Sequence, residues 1–518
     1  MLDNNSLAAS VGSSVKNVQF QAGAVVIPRK NLIIGTYDAA KTLIVDEVPK
    51  QIFSAAEAGS LYGFGSMIHR LAVRNFEGSA GIPTYASPQA EAVAAAASAG
   101  TITFASTGTK AGTVRMYISG IPVPFTVAEA DTAAEIATKA AAAITADKNL
   151  PVTAVVNATP EQIDIASKSK GPWGDDISLK FSILSGEEMP TGVSAIAVDM
   201  AGGTGIPDIQ DAVDGLGTGD DANELFFTDV VHGYGQDATT LNVLSTYNGE
   251  GNDFVGCYSK TVARPFRVLT GDVVADTAGL SALIILGDSR KLDRTNGIIA
   301  VPGSASHPSE IAAKAIGYMS KINNNRAEES YIGVVLAGID PGAQADRWTG
   351  DYDNRDNAVK AGISPTKINN GVVVLQNVVT FYHPDDVPVA SNGYRSMRNI
   401  SILQNILTNI KSNFQQEKWK GISIVIDLQK VTNINDRKKA RDVDTVLDDL
   451  VVLAKSFMSQ AWIYDDQFTI DKLKEAGAVV IRAGNTGFNN TVSVILSGEG
   501  GILDTVTEFD TSIDVLLN

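Results

Sequence analysis

Apolar and polar residues alternate from Val15 to Ile27, with Val18, Phe20, Ala22, Ala24 and Val26 on one face and Asn17, Gln19 and Gln21 on the other. That is the period of a half-buried strand, and Pro28 closes it. The last residues repeat the pattern, Phe509, Thr511, Ile513, Val515 and Leu517 alternating with Asp510, Ser512, Asp514 and Leu516. Neither strand has a hairpin partner close behind it. Backbone donors and acceptors need pairing, so both ends are expected to join a sheet elsewhere.

Between these ends the pattern switches several times. Asn31 to Gly35 reads as a short buried strand, and Ser54 to Phe76 as helical, with Ala58, Leu61, Tyr62, Met67, Ile68 and Leu71 at near-helical intervals. After an Ala-rich stretch from Pro88 to Gly100, strands are expected at Thr101 to Ala105, Gly112 to Ile118 and Ile121 to Val127. A helix follows from Asp131 to Ile144, capped by Thr132. Strands at Val152 to Val156, Gln162 to Ala166 and Ile177 to Ile183 complete an α+β module that ends in a Gly/Pro-rich hinge, Ala201 to Pro207.

Strands and helices then alternate: Glu224 to Asp229, helix Thr239 to Tyr247, Phe266 to Thr270, helix Thr277 to Leu286, Gly297 to Val301, helix Pro308 to Ile322 and Tyr331 to Leu336. Alternation of this kind argues a mainly parallel sheet covered by helices. A further α/β unit begins with a strand over Gly371 to Tyr382. It continues with helices over Tyr394 to Phe414 and Val443 to Phe457, then β structure from Ala478. The expected class is therefore a multidomain α/β and α+β chain. It has an N-terminal arm (1–28), a central α/β domain (29–94 and 206–370), an inserted α+β domain (95–205), a C-terminal domain (371–505) and a C-terminal arm (506–518).

Composition narrows the function. The 518 residues are 44% hydrophobic and 19% charged, the balance of a folded protein. Forty-one Lys and Arg against 58 Asp and Glu leave a net charge of -17, which repels nucleic acid and anionic lipid. The single cysteine, Cys257, has no disulfide partner within the chain and reads as a small apolar filler. Met1 to Ser14 lacks the basic start and apolar core of a secretory signal, and no apolar run approaches the roughly 20 residues that span a bilayer. Synthesis and folding in the cytosol, without membrane insertion, are the expectation.

Chemistry is hard to find. Neither G-x-x-x-x-G-K-[ST], G-x-S-x-G nor H-E-x-x-H occurs. Ala201 to Pro207 is glycine-rich, yet it has neither the spacing nor the following helix of a phosphate cradle. His69, His232, His307 and His383 are far apart in sequence and read as structural or surface residues. Asp351, Asp353 and Asp356 read as a solvated loop, since Arg355 and Asp356 stand where a calcium loop needs a ligand and a glycine. Neither catalytic residue, metal nor cofactor is expected. The one conspicuous basic cluster, Arg437, Lys438, Lys439 and Arg441, reads equally as a solvated face or as a dock for an acidic partner.

Several ordered blocks carry a resemblance. They are LYGFGSMIHR (Leu61 to Arg70), the stretch from Gly112 to Ala154 with KGPWGDDISLKF (Lys170 to Phe181), and GGTGIPDIQDAVDGLG (Gly202 to Gly217). The last is Ala361 to His383 with YRSMRNISILQNI (Tyr394 to Ile406). Together they resemble the Mu-type contractile tail sheath family over roughly residues 30 to 410. The resemblance implies a structural virion-tail subunit, assembled in the bacterial cytoplasm, whose partners are copies of itself in stacked six-fold rings, a tail tube, and baseplate and terminator proteins. The sleeve would shorten to drive the tube through a target envelope, consuming no nucleotide. It also implies that the terminal strands, through Val18, Phe20, Ala22, Phe509, Ile513 and Val515, link neighbouring subunits, and that the C-terminal domain faces the tube. The alternatives from the residues alone are a non-contractile tail or adhesin subunit, or a nucleotide-binding enzyme built on the central domain.

Overall fold

The first strand, β1 (Asn31–Thr36), is buried at every residue, as a parallel strand covered on both faces must be. The computed structural model describes residues 24–41, 49–216, 226–250, 256–259, 262, 264–274, 277–348, 352–384 and 392–499. The expected terminal strands lie outside the described residues, save for Ala24 to Ile27. Those four residues form no strand with their own chain.

After β1 come β2 (Lys50–Ile52), α1 (Ala55–Tyr62), α2 (Met67–Gly78) and β3 (Thr84–Gln89). The helical pattern read across Ser54 to Phe76 is thus broken in two. Ser54 and Ser66 cap the two helices, and Gly65, at φ 83°, turns the chain between them. A Cβ at Gly65 would stand 2.1 Å from the Leu150 carbonyl oxygen, so the glycine in this motif lets the inserted segment lie against the turn.

The inserted segment runs through β4 (Ala99–Ser106), β5 (Gly112–Ile118), β6 (Ile121–Val127), α3 (Ala133–Ala146), β7 (Val152–Val156), β8 (Gln162–Ser167), β9 (Leu179–Phe181) and β10 (Val193–Ala201). β10, β4, β8 and β7 form one sheet, and β6, β5 and β9 another. Thr132 and Glu135 close a reciprocal capping box on α3. This segment sits firmly on the rest of the chain. The Trp173 Nε1–H donates to Ser309 Oγ (3.1 Å), and Ser178 Oγ donates to the Ala305 carbonyl (2.6 Å).

The chain then gives α4 (Gln210–Asp214), β11 (Asp229–His232), α5 (Ala238–Asn248), β12 (Arg267–Asp272), α6 (Thr277–Ser289), β13 (Asn296–Ala300), α7 (Pro308–Asn323), α8 (Tyr352–Lys360), β14 (Ile363–Asn369) and β15 (Val372–Leu375). The large sheet has the order β15-β14-β13-β12-β11-β1-β3-β2. It is parallel from β14 to β3, with antiparallel edges at β14–β15 and β2–β3. The architecture is mixed α/β, as the alternation predicts.

Several expectations are corrected. Of the strand expected over Glu224 to Asp229, Phe226 to Thr228 are not in a strand and β11 starts at Asp229, Glu224 and Leu225 lying outside the described residues. Tyr331 to Leu336 is a turn at Ile332–Gly333 followed by a single bridge, Val335 to Val374, because Gly333 takes φ 87° in its middle. The acidic Asp353 and Asp356 lie in helix α8, where Asp356 pairs with Lys360 one turn on (2.6 Å). The strand placed at Gly371 to Tyr382 is only β15, which folds back on β14, so the large sheet runs to Leu375. All four histidines are buried, so none is a surface residue.

The remaining elements are α9 (Met397–Phe414), β16 (Ser423–Ile424), α10 (Ile434–Lys439), β17 (Ala440–Arg441), α11 (Val443–Ser459), α12 (Asp466–Lys474), β18 (Val479–Ile481) and β19 (Phe488–Asn490). Two small cores hold them. Ala24, Ile402, Ile406, Phe457, Trp462 and Ile463 form one, and Val446, Leu450, Leu473 and Val479 the other.

Candidate assembly interface

The place to look first for chemistry is the crevice outside the carboxyl ends of β1 and β11, where the strand order reverses and α/β proteins bind ligands. A cavity of about 340 Å³ does sit there, lined by Met67, Trp173, Asp175, Asp176 and the Gly233–Asp237 loop. Two observations argue against an anionic ligand. The Met67 N–H at the start of α2 already donates to Ser169 Oγ (2.9 Å), so the helix end that would cradle a phosphate is partly occupied by the inserted segment. Carboxylates also crowd the crevice: burial and then the Asp176 charge push the Asp272 carboxyl up to about 6.

The histidines serve the fold. His69 Nδ1 accepts the Gly65 N–H (2.9 Å) and fixes the turn between α1 and α2. Burial pushes its imidazole down to about 4, and that of His232 likewise. His307 faces the Trp173 carbonyl (2.9 Å) and Ser309 Oγ (2.9 Å), stitching the inserted segment to the start of α7. His383 spans the Phe381 carbonyl and Asp288. Among the described residues no group of three or more His, Cys, Asp or Glu side chains could hold a metal ion, and no helix is long and apolar enough to cross a membrane. Cys257 is buried beside Leu244 and Phe266, the filler it was expected to be.

The C-terminal region looks different. Among the described residues its strands come in two small pairs, β16 with β17 and β18 with β19, with an isolated bridge between Ile463 and Leu496. Pairs of two or three residues do not stand alone in water. The run Gly421 to Asp427, GISIVID, reads as a full strand, yet only Ser423 and Ile424 pair, with Ala440 and Arg441, and the Val425 N–H donates to the Arg441 carbonyl (2.9 Å). Ile426, next in line, is 89% exposed, and Ile434 and Tyr464 are each 70% exposed. Ile434 belongs to α10, so it is Ile426 that leaves an exposed β-branched side chain at a short sheet margin, the chemistry of strand addition.

The basic cluster flanks this margin, and the structure divides it. Arg441 Nη2 donates to the Lys418 carbonyl (2.6 Å) and its guanidinium lies over the Trp419 ring. Arg437 donates to Gln429 Oε1 (2.5 Å). Lys438 and Lys439, at the end of α10, are exposed. Of the sequence-predicted linking residues, Val18, Phe20, Ala22, Phe509, Ile513 and Val515 lie outside the described residues.

Comparison with known proteins decides the kinship. The chain is 25% identical over 405 residues to the Mu-like prophage FluMu tail sheath protein of Haemophilus influenzae, covering 77% of this chain and 78% of that one. The chain is a relative of tail sheath proteins. The resemblance carried by the ordered sequence blocks therefore holds. No protein-family model matches the chain. Among solved structures, the sheath of an extracellular contractile injection system in its contracted state is similar at 10% identity. It covers 98% of this chain and 99% of that one, with a TM-score of 0.45. A sheath tail protein from Desulfitobacterium hafniense is similar at 11% identity, covering 88% and 92%, with a TM-score of 0.40.

Proposed function

We propose that this chain is the subunit of a contractile tail sheath. It polymerises with copies of itself as stacked six-fold rings around a tail tube, meets a baseplate at one end and a terminator at the other, and shortens to drive the tube through a target envelope. Kinship with the FluMu tail sheath protein over 405 residues carries the reading. The interface chemistry supports it: the two-residue pair β16–β17 leaves Ile426 exposed beside it, a margin that another strand can complete.

In this reading residues 1–28 and 506–518 are linker arms. Val18, Phe20 and Ala22 at one end, and Phe509, Ile513 and Val515 at the other, bury their apolar faces in the sheet of a neighbour's C-terminal domain (371–505). Residues 95–205 form an outer domain inserted in the central one. Lys438 and Lys439 contact the tube, while Arg437 and Arg441 brace the end of α10 that presents them. The subunit is a component of a virion or related particle tail and has no catalytic role. Work comes from the free-energy difference between two packings of the same subunits, the extended one being held kinetically.

Negative-stain microscopy of the purified chain with and without tail tubes tests the proposal. Striated hollow sleeves are expected. Smooth narrow tubes would point instead to a non-contractile tail subunit, and soluble monomers that bind nucleotide to an enzyme.

A further inference from the structure

Residues 24–29 run across α9 without a strand partner, yet their backbone is not left bare. The Val25 N–H donates to Asn409 Oδ1 (2.9 Å) and Asn409 Nδ2 returns a hydrogen bond to the Val25 carbonyl (2.8 Å). The Ile27 N–H donates to Asn405 Oδ1 (2.8 Å). Asn405 and Asn409 are four apart and share one helix face. Two residues of an extended chain advance about as far as one helical turn, so this spacing matches alternate N–H groups of the arm. Each amide is oriented in turn, Asn405 Nδ2 donating to the Ser401 carbonyl and Asn409 Nδ2 to that of Asn405, both at 2.8 Å.

Arg29 closes this clip. It is fully buried, its Nη1 and Nη2 donate to Gln404 and Ser401 of the same helix, and its N–H donates to Asn324 Oδ1 (3.0 Å). Burial and the neighbouring Arg267 charge bring its guanidinium down to about 10 despite the attraction of Asp229.

The other end of the described chain is fastened to the same helix. Arg398, in the first turn of α9, donates from Nη1 to the Ser497 carbonyl (2.7 Å) and from Nη2 to Ser497 Oγ (2.9 Å). The Glu499 carboxylate accepts from Ser396, the N-cap of α9 (3.3 Å), and from Ser330.

We propose that α9 is the common anchor of both arms: a clip built from Asn405, Asn409 and Arg29 holds the N-terminal arm, and a clip built from Arg398 and Ser396 holds the C-terminal one. Tension on either arm then enters one helix, at points about 16 Å apart along its axis, rather than peeling strands from a sheet. The mechanical half of this inference rests on the sheath reading; the clips themselves do not.

Hydrogen exchange on the full chain before assembly tests the clips. Amides 25 and 27 are expected to be protected. N405A combined with N409A should speed their exchange about tenfold, the loss expected for one hydrogen bond each, while β12, β13 and residues 495–499 stay unchanged. R398M should speed exchange only near Ser497. Asn409→Asp keeps an acceptor for Val25 and should preserve its protection, which guards against a double variant that merely misfolds. Free-peptide exchange at 25 and 27 in the native chain, or no change in the double variant, overturns the clip. Sheared sleeves of the double variant should be shorter than native ones, and equal lengths overturn the force-carrying role. Native chain that forms no sleeves while the exchange pattern holds would overturn the sheath reading alone.

Discussion

Arg70 on α2 grips Glu310 on α7 with two parallel hydrogen bonds, Nε to Oε1 at 2.8 Å and Nη2 to Oε2 at 2.7 Å, with Glu310 fully buried. Arg74, one turn along α2, adds a third at 2.9 Å. The helices approach closely because Gly78 and Gly317 face each other's backbone: a Cβ at Gly317 would lie 2.5 Å from the Asn75 carbonyl oxygen. The bidentate geometry and the close crossing depend on one another, since a wider crossing would part the guanidinium groups from the carboxylate.

Breaking this grip should be costly. Glu310→Gln leaves two buried guanidinium groups without their counter-charge, and a loss of about 3–5 kcal/mol is expected in chemical denaturation. Burial alone would raise the Glu310 carboxyl, but the Arg70 and Arg74 charges override it and hold it down to about 2. The folded value lies below the unfolded one of about 4.3. The contribution is therefore complete above that pH and is lost as pH falls from about 4.3 through 2. The acid limb of the stability curve should flatten over this window in Glu310→Gln.

Gly65→Ala tests the turn inside the LYGFGSMIHR block. Its φ of 83° disfavours any side chain, and the added Cβ would meet the Leu150 carbonyl at 2.1 Å. A loss of about 2–3 kcal/mol is expected. Limited proteolysis should show new cleavage near Asn149, where the inserted segment would be pushed off the turn. Unchanged melting and cleavage would mean that the turn relaxes freely.

Tyr331→Phe probes the second buried network. The Tyr331 hydroxyl joins Arg267 to Asn323, and Arg267 also holds Asp229 (2.6 Å) and the Met397 carbonyl at the head of α9 (2.7 Å). Removing the hydroxyl leaves Asn323 and a guanidinium N–H short of a partner, a cost of about 1–3 kcal/mol. The loss should show in urea denaturation. The increment from Tyr331→Phe should shrink in an Asn323→Leu background, since one of the two groups it leaves short of a partner is then gone.

Local patterns were legible in the sequence where the period was clean. The limits of β5, β6 and β7, and the Thr132 cap of α3, lie where alternation and capping place them. β3 was missed because Pro88, which cannot donate to a ladder, sits inside it opposite Gly35. β10 was missed because exposed Ile196 and Val198 blur its two faces. Burial of polar residues was not legible at all. Arg29, Arg267, Glu310, His307 and His383 are inside with partners distant in sequence, and composition carries no trace of such pairings. The basic cluster was visible as a run, but nothing in the run separates Arg441, spent on Lys418 and Trp419, from the exposed Lys438 and Lys439.

That division predicts how charge reversal should act. Lys438→Glu with Lys439→Glu should leave melting unchanged, because neither side chain is committed to the fold. It should weaken the association of sleeves with tubes and reduce its salt dependence, each exposed pair contributing about 1 kcal/mol or less. Arg441→Glu should instead destabilise the C-terminal region before any tube is added. Tube binding with unchanged salt dependence in the double lysine variant would make the patch ordinary surface.

The ends of the chain carry the last prediction. Ala24 and Val26 are already packed with Ile402, Ile406, Phe457 and Trp462, and residues 495–497 are fixed by Trp462, Tyr464 and Arg398. The segments available for a neighbour are therefore 1–23 and 500–518, and cuts made there spare the subunit's own cores. A cut at 27 would instead remove Ala24 and Ile27 and confuse folding with assembly. Chains lacking 1–23 or 500–518 should melt within a few degrees of the full chain and remain monomeric in sedimentation. Neither should form sleeves, because in the proposed sheath each would lack an arm that links it to a neighbour. Mixing the two truncated chains should give at most short oligomers, since each can donate only one of its two arms. Normal sleeves from either truncation would mean that the missing strand folds back on its own subunit and takes no part in linking.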